Sequence, residues 1–416
     1  MNDRSYENID SVAALKRLQA VINKTPLQLN KRLSEKYEAS IYLKREDMQV
    51  VRSYKLRGAY NKICTLTPEE RRNGVVCASA GNHAQGFAFS CKNQQIKGVI
   101  YMPSATPNQK IEQTRMFGGE YVEIVLTGDT FDDCLREALL YTKENNMTFV
   151  PPFDDIHVIE GQGSVAVEIL EDLPDTDIII IPIGGGGLAS GIGHHLHKIK
   201  SDIQCFGVEP EGAACMKAAF SAGKPVTLDH IVTFVDGAAV KRAGDLTFEL
   251  CQKYIDRIEL IPEGKVCSSI LNLYNNDAIV AEPAGALTVA ALDSFKDEIK
   301  GKKVVCIISG GNNDFDRMAE IKELSLQYEG RKHYFLVQFP QRPGSLKLFV
   351  TEVMGPTDDI TRFEFIKKTQ RERGPALIGI EVQSTDDYQA LISRMIEKNF
   401  DFKEINTDQT LFEYFI

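Results

Sequence analysis

Up to about Phe315, short runs rich in β-branched residues alternate with longer segments whose apolar positions recur every three to four residues. Ile41–Lys44 (IYLK), Gly98–Met102 (GVIYM), Tyr121–Val125 (YVEIV), Asp177–Ile183 (DIIIIPI) and Lys303–Ile308 (KVVCII) read as strands. The last two are continuously apolar, the pattern of strands covered on both faces. Between the strands, TPEERR offers Thr67 as a helix cap and Pro68 as the first helical residue. Thr127–Asn146 carries Leu135, Leu139 and Leu140 at helical spacing. Such alternation predicts an α/β body built on a parallel sheet flanked by helices.

The texture changes to a charged helix or linker over Lys322–Lys332. Beyond it HYFLVQFP (strand), GSLKLFVTEVM (helix), ITRFEFIKK (strand), ALIGIEVQS (strand), DYQALISRMIEK (helix) and a closing strand give the order βαββαβ, the ferredoxin-like split arrangement. Two units are expected: a catalytic body over 1–325, containing a smaller subdomain over about 47–152, and a regulatory module over 332–416.

Composition narrows the class. The 416 residues are 43% hydrophobic and 25% charged, an ordinary globular balance. A net charge of −10 with no long basic run argues against a nucleic-acid or anionic-membrane surface. The opening MNDRSYENID is polar, unlike a signal peptide, and no apolar stretch reaches the roughly 20 residues of a membrane helix. Nine scattered cysteines without a CxxC pair suit free thiols in a reducing cytosol.

Four segments carry candidate chemistry. In SYKLRGAYNK, Lys55 stands between Tyr54 and Leu56 rather than among polar neighbours. Gly184–Gly187 follow a buried strand and precede a helix, so inward-turned amides and a helix N-terminus can cradle a phosphate. The spacing is neither GxGxxG nor a Walker loop, and the alternative is a flexible turn. VVCASAGNHAQG repeats strand, small-residue turn and helix, placing Ser79, Ala80, Gly81, Asn82 and His83 where a carboxylate can be held. Asn82 can also donate and accept, though the segment could equally be a capped helix. Ser309 ends the buried strand of CIISGGNND, where a serine is ordinarily a turn former. The histidines of HHLH (His194, His195, His197) do not share one helix face, which weighs against a metal. Cys64, Cys77 and Cys91 fall on apolar patterns and read as core fillers.

In order, SYKLRGA, SAGNHAQG, GGGGL, AEPAGAL and SGGN resemble the fold-type II (tryptophan synthase β-like) pyridoxal-phosphate enzymes, and most closely the threonine dehydratases, over about residues 10–320. The C-terminal module is similar to the ACT-like regulatory domain of the biosynthetic members, in a single copy. The resemblance implies pyridoxal 5′-phosphate as cofactor, joined to Lys55, with its phosphate on Gly184, Gly185, Gly186, Gly187 and Leu188. It places Asn82 at the ring hydroxyl, Ser309 at the ring nitrogen, and the substrate carboxylate on the Ser79–His83 turn. The implied reaction is dehydration and deamination of L-threonine to 2-oxobutanoate and ammonia, the first step of isoleucine biosynthesis. A cytoplasmic homotetramer is implied, with isoleucine as inhibitor and valine as a possible activator. Arg342, Gly344, Leu346 and Phe363 are the candidate effector residues. Racemases of this fold carry a serine where this chain has Ala80, so racemisation is not expected. Some relatives bind a divalent cation through the segment corresponding to Val208–Cys215. Here Glu209 is present but Cys215 replaces an aspartate, so no metal is expected. Serine dehydration, β-replacement on the same fold, and a non-catalytic amino-acid sensor remain the alternatives.

Overall fold

The computed structural model describes residues 8–199, 202–365 and 372–415. It divides into two compact units, Met1–Phe315 and Asp316–Ile416. The division falls ahead of the expected end at 325 because the helix Met318–Tyr328 belongs with the second unit, where Tyr334 Oη donates to Glu323 Oε1 at 2.7 Å.

The strands of the first unit are, in chain order, β1 (Leu27–Leu29), β2 (Ser40–Arg45), β3 (Val75–Ala78), β4 (Gly98–Met102), β5 (Val122–Leu126), β6 (Thr148–Phe149), β7 (Ile178–Pro182), β8 (Gln204–Pro210), β9 (Arg257–Ile261) and β10 (Lys303–Ile308). They form two sheets, not one. The larger has the order β1-β2-β10-β7-β8-β9, parallel except for the short antiparallel edge strand β1. The smaller, β5-β4-β3-β6, is parallel throughout. The apolar strands β7 and β10 sit centrally in the larger sheet, and Ile179, Ile181, Val305 and Ile307 pack with Val165, Ile169, Ile192 and Leu196 of the covering helices. In the smaller sheet Cys77 and Ile100 pack with Phe87 and Cys91, while Val76 and Val99 face Cys134 and Ala138.

Thr67 and Glu70 form a complete capping box around Pro68–Asn73. The helix Phe131–Glu144 also forms, but it buries Cys134 and Ala138, while Leu139 and Leu140 face solvent. Leucine spacing therefore identifies this helix without identifying its buried face. The helix that starts at Lys55, Lys55–Cys64, packs on both Asn82–Gln94 and Ile156–Asp172. A Cβ on Gly58 would come within 2.8 Å of the Val158 carbonyl oxygen, a backbone atom, so glycine permits the close approach of these helices.

The second unit contains β11 (Lys332–Pro340), β12 (Asp359–Phe365), β13 (Arg373–Glu381) and β14 (Asp401–Glu404), antiparallel in the order β12-β13-β11-β14. Residues 366–368 of the expected strand Ile360–Lys368 lie outside the described residues. The helix Ser345–Leu348 continues into a π-turn at Phe349–Val353, and with Thr385–Glu397 it covers one face, where Phe349, Leu391 and Met395 meet Phe335, Val337 and Ile378. The expected βαββαβ order is present, followed by a further helix, Gln409–Phe415, whose Leu411 and Phe412 pack near Tyr334 and Leu377.

Candidate active site

Lys55 is the first residue of its helix, held there by its neighbours in sequence. The Tyr54 amide donates to Ser309 O at 3.1 Å, and Ser53 bridges to Gly310 just beyond β10. Lys55 is half-buried, and its Nζ donates to the Pro152 carbonyl at 2.9 Å. Desolvation lowers its pKa from 10.5 to about 8, against the opposing pull of Glu282. An amine so placed is readily available as a nucleophile.

The next residue after Pro152 connects Lys55 to the glycine loop. A Cβ on Gly185 would approach the Phe153 ring to 2.2 Å, and Gly186 sits at φ +94°, a left-handed conformation suited to glycine. The loop carbonyls are engaged: Gly185 O accepts from Thr247 Oγ1 at 2.6 Å and Gly186 O from the Ser190 amide at 2.9 Å. This leaves the amides as the loop's donors, at the start of the helix Gly187–Ile199. Asp154 caps the helix Asp245–Tyr254 through the Asp245, Leu246 and Thr247 amides. The Leu188 side chain is buried in the core, so only its backbone is available to an anion.

On the other side, β3 runs into Ser79–Gly81 and the helix Asn82–Gln94, whose N-terminus has no side-chain cap. Ser79, Ala80, Gly81 and Asn82 are half-buried. Asn82 Nδ2 donates to Glu282 Oε1 at 2.6 Å, and Asn82 Oδ1 accepts from Asn312 Nδ2 at 2.7 Å. The Glu282 amide donates to Gly310 O at 3.1 Å, which brings Asn82 to the end of β10 beside Ser309. Burial, reinforced by Asp236, pushes the Glu282 carboxyl up to about 7. His83 is buried; its Nε2 donates to Val150 O at 2.9 Å, while Nδ1 has no partner among the described residues. Burial and the charge of Lys55 hold its pKa down to about 3.

A free amine, two donor-rich helix starts, an amide side chain and a strand-end serine thus converge, and this donor set fits an aldehyde-bearing phosphate cofactor. Pro152, Phe153, Glu282 and Asn312 also belong here, and sequence reasoning gave them no role. AEPAGAL held the signal for Glu282, a lone acid in an otherwise apolar segment.

Elsewhere, both Glu209 oxygens accept amides of the helix Cys215–Ala222, from Met216 at 2.8 Å and Lys217 at 2.7 Å. Cys215 Sγ lies 3.5 Å from Gly184 O. Among the described residues no cluster of three or more His, Cys, Asp or Glu could hold a metal. His194 and His197 pack on Tyr254, and all nine cysteines are free. In the second unit, Arg342, Gly344, Leu346 and Phe363 are exposed, with Phe363 edge-on to Phe339 at 6.2 Å.

Comparison with known proteins agrees with this geometry. Residues 18–310 match the family of pyridoxal-phosphate-dependent enzymes, and residues 323–415 match the C-terminal regulatory domain of threonine dehydratase. The two parallel sheets with an antiparallel regulatory module define a fold-type II pyridoxal-phosphate enzyme. The biosynthetic L-threonine dehydratase of Halalkalibacterium halodurans is 55% identical over 98% of each chain, and that of Bacillus subtilis is 57% identical over 95% of this chain and 94% of the other. The processed form of threonine deaminase isoform 2 from Solanum lycopersicum superposes with a TM-score of 0.72 at 38% identity, covering 76% of this chain and 93% of that one. The chain belongs to the biosynthetic L-threonine dehydratases.

Proposed function

We propose that this chain converts L-threonine to 2-oxobutanoate and ammonia, with Lys55 as the group that attaches the cofactor and moves the α-proton. The observation that carries this reading is a lysine amine with a pKa of about 8, hydrogen-bonded to a neutral carbonyl beside the glycine loop. Bound pyridoxal phosphate supplies the electron sink for the substrate α-carbon. The amides of Gly184–Leu188 would hold the phosphate, Asn82 would hydrogen-bond the ring hydroxyl, and Ser309 would serve the ring nitrogen. The open helix start at Ser79–His83 orients the substrate carboxylate. Lys55 Nζ takes the α-proton, the β-hydroxyl departs as water, and water later hydrolyses the carbon–nitrogen bond to give ammonia and the 2-oxo acid. Ala80 offers no second proton donor, which favours elimination over racemisation.

The exposed residues Arg342, Gly344, Leu346 and Phe363 are proposed to take isoleucine as inhibitor, with valine opposing it, in a cytosolic homotetramer. An effector acts only through unequal affinity for two states. Assaying purified holoenzyme for a 2-oxo acid with L-threonine, L-serine, and O-acetylserine plus sulfide tests the reaction. Threonine turnover supports it; β-replacement without threonine turnover contradicts it.

A further inference from the structure

Arg57 lies two residues beyond Lys55 on the same helix and is fully buried. Its Nε and Nη2 donate to the two Glu46 oxygens, both at 2.8 Å. Nη1 donates to Ser164 Oγ at 3.1 Å and Glu168 Oε1 at 2.8 Å, and Nη2 to Glu168 Oε2 at 2.9 Å. Lys44 completes the group: its Nζ donates to Glu168 Oε2 at 2.6 Å and to Thr25 O at 2.8 Å. Thr25 Oγ1 donates to Glu46 Oε1 at 2.5 Å. Two cations and two carboxylates are thus matched in the interior, on β2, the turn Glu46–Met48, and the helices Lys55–Cys64 and Ile156–Asp172.

Ahead of Lys55 the backbone is tied to β10 through Tyr54 and Ser53, and the Arg57 amide closes the first turn on Tyr54 O at 2.9 Å, with no side-chain cap from Tyr54. On the far side of Lys55 the Arg57 side chain is what ties that turn to its surroundings. Arginine's planar fork engages both carboxylates at once, which a point-charge ammonium cannot do.

We propose that Arg57 is a positioning residue for the reaction: its fork to Glu46 and Glu168 fixes the first turn of the helix and hence where the Lys55 amine stands. It acts through Lys55 and touches neither substrate nor cofactor. The inference rests on the assignment of Lys55 above, which borohydride mapping of the wild-type enzyme tests separately. A misplacement of about 1 Å in a reacting group lowers a rate by roughly 10²-fold.

The test compares holoenzymes. Arg57→Met alone leaves an excess buried negative charge, so its effects mix geometry with field and stability. Arg57→Met combined with Glu46→Gln leaves Lys44 matched to Glu168 and an amide oxygen for Thr25, and removes the fork together with its Ser164 contact. Arg57→Lys keeps the charge and is the second, independent arm. With the visible band of bound cofactor retained, the double variant is expected to keep KM for L-threonine within about twofold while kcat falls roughly 10²-fold, with its pH profile unmoved. Arg57→Lys should lose about tenfold in kcat. Arg57→Met alone should move the basic requirement to higher pH, because unbalanced negative charge favours the ammonium. A kcat within twofold of wild type in either charge-balanced variant overturns the proposal, as does a loss expressed equally in KM. Should the double variant fail to fold, Arg57→Lys decides alone.

Discussion

Lys44 and Lys55 belong to the same unit, and their surroundings are opposites. Lys44 is fully buried and meets a carboxylate at 2.6 Å, in a group where every charge has its counterpart. Lys55 is half-buried; its hydrogen bond goes to a neutral carbonyl and its Nζ lies 5.4 Å from the Tyr54 ring centre, with the Glu282 carboxyl acting on it only through space. Matched charge in a dry interior is costly to unmatch, because removing one partner strands the other away from water. A desolvated amine without an ion-pair contact makes the neutral, reactive form accessible near pH 8. The two neighbourhoods meet at one helical turn, where Arg57 belongs to the first and Lys55 to the second.

Four substitutions separate the two kinds of site. Lys55→Ala should abolish threonine turnover, by at least about 10⁴-fold, and with it borohydride-stable attachment of the cofactor, while the chain stays folded. Lys44→Met should act chiefly on stability, costing about 3–5 kcal/mol in denaturant unfolding because a buried carboxylate loses its partner. If Lys44→Met unfolds no more easily than wild type, the matched group is not an anchor.

Glu282 sharpens the contrast through pH. Its folded pKa of about 7 lies above the unfolded 4.5, so its contribution is full below pH 4.5 and is lost as pH rises through 7. His83, held near 3, runs the other way and is lost as pH falls from 6.5. Because His83 is common to both proteins, the stability difference between wild type and Glu282→Gln reads Glu282 together with its pull on the Lys55 amine. In cofactor-free protein the wild type should lose roughly 3 kcal/mol relative to Glu282→Gln between pH 4.5 and 8. A difference that stays flat with pH would refute the raised carboxyl. Lys24→Ala gives the smallest effect: its partners Glu171 and Asp172 are substantially exposed, so no more than about 0.5 kcal/mol should be lost.

What the sequence reveals follows from distance along the chain. Lys55 in its segment, the glycine run and the turn at Asn82 are legible because each is local, with a strand end and a helix start on either side. Arg57 lies in the same segment, but its partner Glu168 is 111 residues away and no local pattern joins them. Glu282 is likewise 200 residues from Asn82. Phe153 earns no notice in sequence, yet its ring closes off the glycine loop. Alternation of strands and helices predicts parallel pairing, but it does not tell which strands share a sheet. The chain leaves the larger sheet after β2, builds the smaller one, and returns at β7, and nothing local marks either crossing. The second unit is legible because its strand and helix segments follow one another in the recurrent βαββαβ order, although only β12 and β13 are consecutive strands that pair, and neither the π-turn nor the closing helix Gln409–Phe415 has a local signal.

The most direct measurement is reduction of the native holoenzyme with borohydride, followed by peptide mapping of the pyridoxyl label. A single labelled residue at position 55 is the predicted result. Label on Lys44 or any other side chain, or no covalent label at all, would contradict the division between the lysine that holds and the lysine that reacts.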